Sequence, residues 1–175
     1  MRIVQWLLLT CMAAANCQAA AADYPSRPIR WIVPFSPGGP SDIIGRFFAA
    51  KLSDALGMQV VVDNRSGATG IIAFEIAARA VPDGYTVLQA GASGLTTNPH
   101  LHAKLPYDAQ RDFRLVTQLV ATPNMLVVHA SLPARTVKEL VALAKAKPGQ
   151  LAYSSGGAGT SNHLSWEMLK FYTGI

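Results

Sequence analysis

Trp31-Ile-Val-Pro-Phe-Ser-Pro-Gly-Gly-Pro-Ser-Asp42, continued by Ile43 to Leu56, is the stretch on which the fold of this chain turns. An apolar run leads into a glycine- and proline-rich turn, and apolar residues then recur at three- and four-residue steps. Ile43, Ile44, Phe47, Phe48, Leu52, Ala55 and Leu56 make one apolar helical face. The stretch predicts a buried strand, a tight turn and an amphipathic helix capped by Ser41 or Asp42 and stopped by Gly57. First-turn N–H groups of such a helix have no intrahelical acceptor and carry partial positive charge. Gly38 and Gly39 place no side chain in the path of a small anion approaching that backbone. A plain strand-to-helix connection reads the same way from these residues alone. Sharper motifs are absent: there is no G-x-x-x-x-G-K-[ST], no G-x-G-x-x-G and no G-x-S-x-G, so Ser36 and Ser41 are poor nucleophiles.

Upstream, Met1 to about Ala22 reads as a signal peptide. Arg2 supplies the positive end, Ile3 to Ala15 is an apolar run too short for a typical membrane-spanning helix, and Ala19-Ala-Ala-Ala22 offers small residues for cleavage. Both cysteines, Cys11 and Cys17, lie inside that segment. The mature chain is therefore expected to lack disulfides and thiol nucleophiles. Ala14-Ala-Asn-Cys17 matches a lipidation signal only weakly, so export and release are expected, which places the protein in the periplasm.

The 175 residues are half hydrophobic and only 14% charged, which suits a packed core. The formal charge of +5 is spread over scattered lysines and arginines without interleaved aromatics. Nucleic acid is not an expected partner.

Downstream, strands and helices alternate, which argues for right-handed βαβ units around a parallel sheet. Gln59 to Asp63 and Tyr85 to Gln89 read as further strands, and Ile71 to Ala80 as a short helix capped by Thr69. Ala90 to Tyr107 reads as irregular, at the kind of strand C-terminus where ligands sit in open α/β sheets. His100 and His102 form an isolated pair without Cys, Asp or Glu nearby, and no metal site or other cofactor is expected. Met125 to His129 reads as a strand, Thr136-Val-Lys-Glu139 as a capping box opening a helix to Ala146, and Leu151 to Tyr153 as a short strand. Ser154-Ser-Gly-Gly-Ala-Gly-Thr160 then repeats the opening pattern, with a helix starting at Ser161. Two glycine-rich helix N-termini make an anion-recognition cleft a reasonable expectation, with His163 as a further donor to a carboxylate.

The chain resembles the solute-binding proteins of tripartite tricarboxylate transporters, the TctC or Bug family. The matching residues include Tyr24-Pro-Ser-Arg-Pro-Ile-Arg30, Val33-Pro-Phe-Ser-Pro-Gly-Gly39 with Asp42, Val62-Asp-Asn-Arg-Ser-Gly67 and Pro82-Asp-Gly-Tyr-Thr86. They continue with Asn98-Pro99, Lys104-Leu-Pro-Tyr-Asp108, Pro123-Asn124, Ala144-Lys-Ala-Lys-Pro-Gly149 and Tyr153 through Leu164. The resemblance implies a two-lobed α/β fold of the type II periplasmic-binding-protein kind. It has a first lobe with a mainly parallel sheet over residues 23–124, and the start of a second over 125–175. It implies capture of a small carboxylate for a membrane permease, without catalysis. Ser36, Gly38, Gly39 and Asp42 on one side, and Gly159, Thr160, Ser161 and His163 on the other, are the expected ligand-binding residues. Asp42 reads better as a cap than as a contact, since a carboxylate repels an anionic solute. Ser154 and Asn162 depart from the usual glycine and proline of the second loop. Members of the family are about twice this length, so an incomplete second lobe is expected, as in a truncated product, fragment or partial gene. The alternatives are an exported α/β enzyme acting on carboxylate esters, for which no Ser/His/Asp arrangement is recognisable, and a truncated chain without function.

Overall fold

The computed structural model describes residues 23–175. The signal-peptide reading and both cysteines lie outside the described residues. At the centre is β1 (Ile29–Val33), flanked on both sides by parallel partners, β2 (Val60–Asn64) and β3 (Thr86–Leu88), in the order β2-β1-β3. Trp31 stands in register with Val62 on one side and Val87 on the other. A central strand covered on both faces has no solvent side, which is why its apolar run does not alternate.

Ile29, Trp31 and Val33 face α1 (Pro40–Leu56) and form a core with Ala49 and Val60. Ile32, pointing the opposite way, is fully buried. A second apolar cluster gathers around Phe74 of α2 (Ile71–Ala78), whose ring lies 5.0 Å from Tyr107 and 5.4 Å from Phe113.

The helix after β1 forms as expected and ends on Gly57 in the left-handed conformation, at φ 63°. Its inward face coincides with the apolar stripe only in part: Phe48 and Leu52 pack against the core. Asp42, Gly45 and Ala49 are buried, whereas Ile43 and Phe47 are 63% and 58% exposed. The reason is close approach: a Cβ on Gly45 would come within 2.7 Å of Gln89 Oε1 and 2.9 Å of Val33 Cγ2. Small residues let the helix lie against the sheet, and that contact turns Ile43 and Phe47 outward.

Thr69 does not cap α2. Gly70 takes the cap position, and Gly67, Ala68, Thr69 and Gly70 all have positive φ, at 127°, 46°, 53° and 91°. A β-branched residue in the left-handed region is strained, at a cost of about 1–2 kcal/mol. Thr69→Gly should therefore raise the unfolding free energy by about 0.5–1 kcal/mol, net of the added flexibility of the unfolded chain, as read from a urea titration.

The segment read as irregular contains two helical pieces, a π turn (Ser93–Thr97) and α3 (Asn98–Leu101). Met125 to His129 and Leu151 to Tyr153 are not strands. They find no strand partner among the described residues, and extended backbone becomes a strand only through such a ladder. The capping box is present: Thr136 Oγ1 accepts from the Glu139 amide, and Glu139 Oε2 accepts from the Thr136 amide, opening α4 (Val137–Ala146). The last helix is α5 (Ser161–Thr173).

Candidate functional site

The first glycine turn leaves the C-terminal end of β1, and a buried carboxylate builds it. Asp42 lies in the first turn of α1, and its Oδ2 accepts from the Gly38 amide at 2.9 Å and from Arg46 Nε at 2.9 Å. Its Oδ1 accepts from Asn64 Nδ2 at 3.0 Å, and the same amide nitrogen donates to the Phe35 carbonyl at 3.0 Å. Neither Ser41 nor Asp42 sits at the cap position, which Gly39 takes; Asp42 instead reaches back over the turn. Gln89 adds a tie, donating from Nε2 to the Ser41 carbonyl while Oε1 accepts from Trp31 Nε1. The Gly38 N–H is thereby committed to Asp42. The amides of Ser41 and Asp42 remain without intrahelical acceptors because they lie in the first turn.

Arg46, followed by the Gly38 and Asn64 hydrogen bonds, holds the Asp42 carboxyl at about 2, below its usual 3.8. A folded-state value below the unfolded one means a stabilising contribution that is complete above about pH 4 and lost as pH falls through about 2. In acid titrations followed by circular dichroism, the stability gap between wild type and Asp42→Asn should stay constant above about pH 4 and close between about pH 4 and 2. A gap that persists unchanged at pH 2 would contradict this.

The second glycine turn precedes α5 and rests on loops of the same sheet edge. Gly159 has φ 83°, and a Cβ there would lie 2.7 Å from Leu101 Cδ1 and 3.2 Å from Thr97 Cγ2. A Cβ on Gly157 would meet Thr69 Oγ1 at 3.4 Å. The turn is thus seated on the loops that follow β2 and β3, while Ser36, Gly38, Gly39 and Asp42 follow β1. All eight expected residues fall at the C-terminal edge of the sheet or on the turn that leans against it.

Their hydrogen bonding differs from residue to residue. Thr160 is buried, and its single hydroxyl proton serves either the Gly157 carbonyl at 2.7 Å or Asn162 Oδ1 at 2.6 Å. Asn162 Oδ1 also accepts from the His163 amide at 3.2 Å, so this departure from the usual proline organises the first turn of α5. His163 Nδ1 accepts from the Gly159 amide at 3.4 Å, an arrangement that leaves Nε2 carrying the proton. Ser161 Oγ donates to Asn124 Oδ1 at 3.2 Å. Among the described residues, these bonds leave the His163 Nε2–H, the Asn162 Nδ2 amide and the Ser36 hydroxyl as donors without an acceptor.

Sequence reasoning passed over Asn98. It is fully buried, its Nδ2 faces Tyr107 Oη at 3.5 Å, and its Oδ1 has no hydrogen-bond partner among the described residues. Tyr107 Oη donates onward to the Gly94 carbonyl at 2.7 Å. The Asn98-Pro99 pair was the only visible signal. A groove of about 350 Å3 lies elsewhere, against Pro28–Arg30 and Val61–Asp63. Neither it nor a second groove of about 550 Å3, against Leu95, Thr96, Ala109, Gln110 and Phe113–Leu115, is lined by residues of either glycine turn. No cluster of three or more His, Cys, Asp or Glu side chains suited to a metal occurs among the described residues.

The model of the tripartite tricarboxylate transporter family receptor, TctC, matches residues 44–175. A protein of Pseudomonas sp. strain P51, described as a UPF0065 protein in the tcbD-tcbE intergenic region, is 41% identical over 159 residues. That match covers 90% of this chain and 47% of the relative. Rpa4515 of R. palustris, solved with adipate, superposes with a TM-score of 0.84 at 37% identity, covering 87% of this chain and 51% of its own. The periplasmic binding protein BugD gives a TM-score of 0.72 at 33% identity over 87% and 50% of the two chains. The chain spans about half the length of the curated relatives it matches. With the parallel sheet, both glycine turns and these matches in agreement, the chain belongs to the TctC family of tripartite tricarboxylate transporter receptors.

Proposed function

We propose that this chain carries one pole of an extracytoplasmic receptor that captures a small carboxylate and passes it to a membrane permease of the tripartite tricarboxylate type. Residues 23–124 make its first lobe and residues from 125 onward begin its second, and residues 1–22 direct it to the periplasm. The observation that carries the reading is the pair of glycine turns at helix N-termini on one sheet edge. First-turn amides of α1 and α5 attract negative charge and adapt to anions of different shape. The adipate held by Rpa4515 and the receptor description of the family support the same chemistry, and both point to binding rather than turnover.

In this reading the eight residues divide the work. Backbone amides around Gly39 and Ser41, and around Gly159 and Ser161, meet the carboxylate, and His163 Nε2–H adds a side-chain donor. Ser36 lines the mouth of the first turn. Asp42, already saturated by Arg46, Asn64 and Gly38, shapes that turn and contributes no donor. Thr160 does the same for the second turn through its bond to Gly157 or Asn162.

The test is a titration of the isotopically labelled chain with adipate, with adipamide as the uncharged control. Adipate should move the amide resonances of Gly39, Ser41, Gly159 and Ser161 in a saturable way, and adipamide should not. Equal responses to acid and amide, or shifts scattered over the surface, would remove the carboxylate reading.

A further inference from the structure

Pro123-Asn124 belongs to the stretches that resemble the family, and its one tie to the site described above is the bond from Ser161 Oγ to Asn124 Oδ1. Asn124 lies in the crossover that leads from the first lobe into residues 125 onward. Residues 121–130 are exposed throughout, and 114–130 contain neither helix nor strand. The other side-chain hydrogen bonds of this crossover are local, joining Gln118 to Val120 and His129 to Ser131. Asn124 differs from them. Its Nδ2 donates to Ser165 Oγ at 2.9 Å, and its Oδ1 accepts from Ser161 Oγ at 3.2 Å. Ser165 Oγ donates in turn to the Ser161 carbonyl at 2.9 Å, which closes a ring.

Residues 161 and 165 stand one above the other on a helix, so a single planar amide can grip both. A two-point grip restrains rotation of α5 as well as its distance from the crossover. Ser161 is the first residue of α5, directly after Gly159-Thr160. We propose that Asn124 is a positioning residue: it fastens the crossover to the first turn of α5 and sets the direction in which the Gly159–Ser161 amides face the first lobe. The proposal rests on the carboxylate reading for its consequence, and it gives the Ser161 hydroxyl a role in this ring while its backbone amide stays with the solute.

The experiment compares wild type, Asn124→Ala and Asn124→Asp by residual dipolar couplings of the Gly157–Ser161 amides relative to those of β1, and by adipate titration. Asn124→Ala should reorient or disorder the Gly157–Ser161 amides while leaving β1 unchanged, and should weaken adipate binding about fivefold, the size of one lost hydrogen bond. Asn124→Asp keeps the acceptor for the Ser161 hydroxyl, and it accepts from Ser165 as well once the Ser165 hydroxyl turns from the Ser161 carbonyl toward the carboxylate. The variant thus keeps the two-point grip and should restore the wild-type couplings. Its added negative charge should still weaken adipate, which separates orientation from affinity. Unchanged couplings in Asn124→Ala overturn the proposal. Altered couplings with unchanged adipate affinity overturn it too, because the ring would then be structural only. If wild type ignores adipate, the carboxylate reading falls, and the couplings alone still decide whether Asn124 orients the turn.

Discussion

Gly94→Ala is expected to cost about 3 kcal/mol of stability, close to the upper end for one added methyl in a packed core. The new Cβ would lie 2.1 Å from two ring carbons of Phe74, a separation at which something must move. Phe74 is among the largest fully buried side chains, held between Tyr107 and Phe113. Its ring has no open space to turn into. Movement of the π turn instead would strain the bond from Tyr107 Oη to the Gly94 carbonyl. Urea unfolding should show a lower midpoint with an unchanged slope, since the exposed surface is the same in both chains. A loss below about 1 kcal/mol would mean that Phe74 yields more easily than its packing indicates.

Gly39→Ala is expected to do the reverse, leaving the fold intact while removing binding. Gly39 has φ −80° and ψ 169°, a conformation open to any residue, and a Cβ there would meet nothing nearer than the Ser36 carbonyl at 3.5 Å. Folding therefore gives no reason for glycine at this position, in contrast to Gly38 with φ 81° and Gly159 with φ 83°. A reason remains if a ligand must approach the backbone, because a methyl group at the helix cap stands where the anion would come. Stability should change by no more than about 1 kcal/mol, the effect of a poorer cap residue. Adipate affinity should fall roughly tenfold to a hundredfold, the equivalent of one charge-assisted hydrogen bond of about 1.5–3 kcal/mol. Paired urea and adipate titrations of the variant make the check. Full affinity in a folded Gly39→Ala would place the solute away from this turn.

Much of this molecule was legible because its signals are local. The apolar run of β1, the stop at Gly57, the capping box of Thr136 and Glu139, and both glycine turns each depend on residues a few positions apart. The backbone rules that govern them act within a single turn. The order of strands and helices, and so the parallel sheet, followed from the same local pattern through the handedness of βαβ units. Even the two halves of the candidate site could be named from sequence, since a helix N-terminus behind glycines is a short-range feature.

What the tertiary structure decided involves partners far apart in the chain. The sheet-facing side of α1 was set by Gln89 and Val33 crowding Gly45; of the stripe that hydrophobicity alone assigned to that side, Phe48 and Leu52 reach the core and Ile43 and Phe47 do not. Asp42 became the saturated centre of the first turn only because β2 brings Asn64 beside it. Met125 to His129 has strand chemistry, but a strand requires a neighbour, and composition carries no information about one. Ser161 reads as a free hydroxyl until Asn124, 37 positions earlier, is found accepting its proton. Local residue patterns set where backbone amides are exposed at helix starts. Only long-range packing decided which side chains hold those starts in place, because a hydrogen bond between distant residues depends on the path of the whole chain.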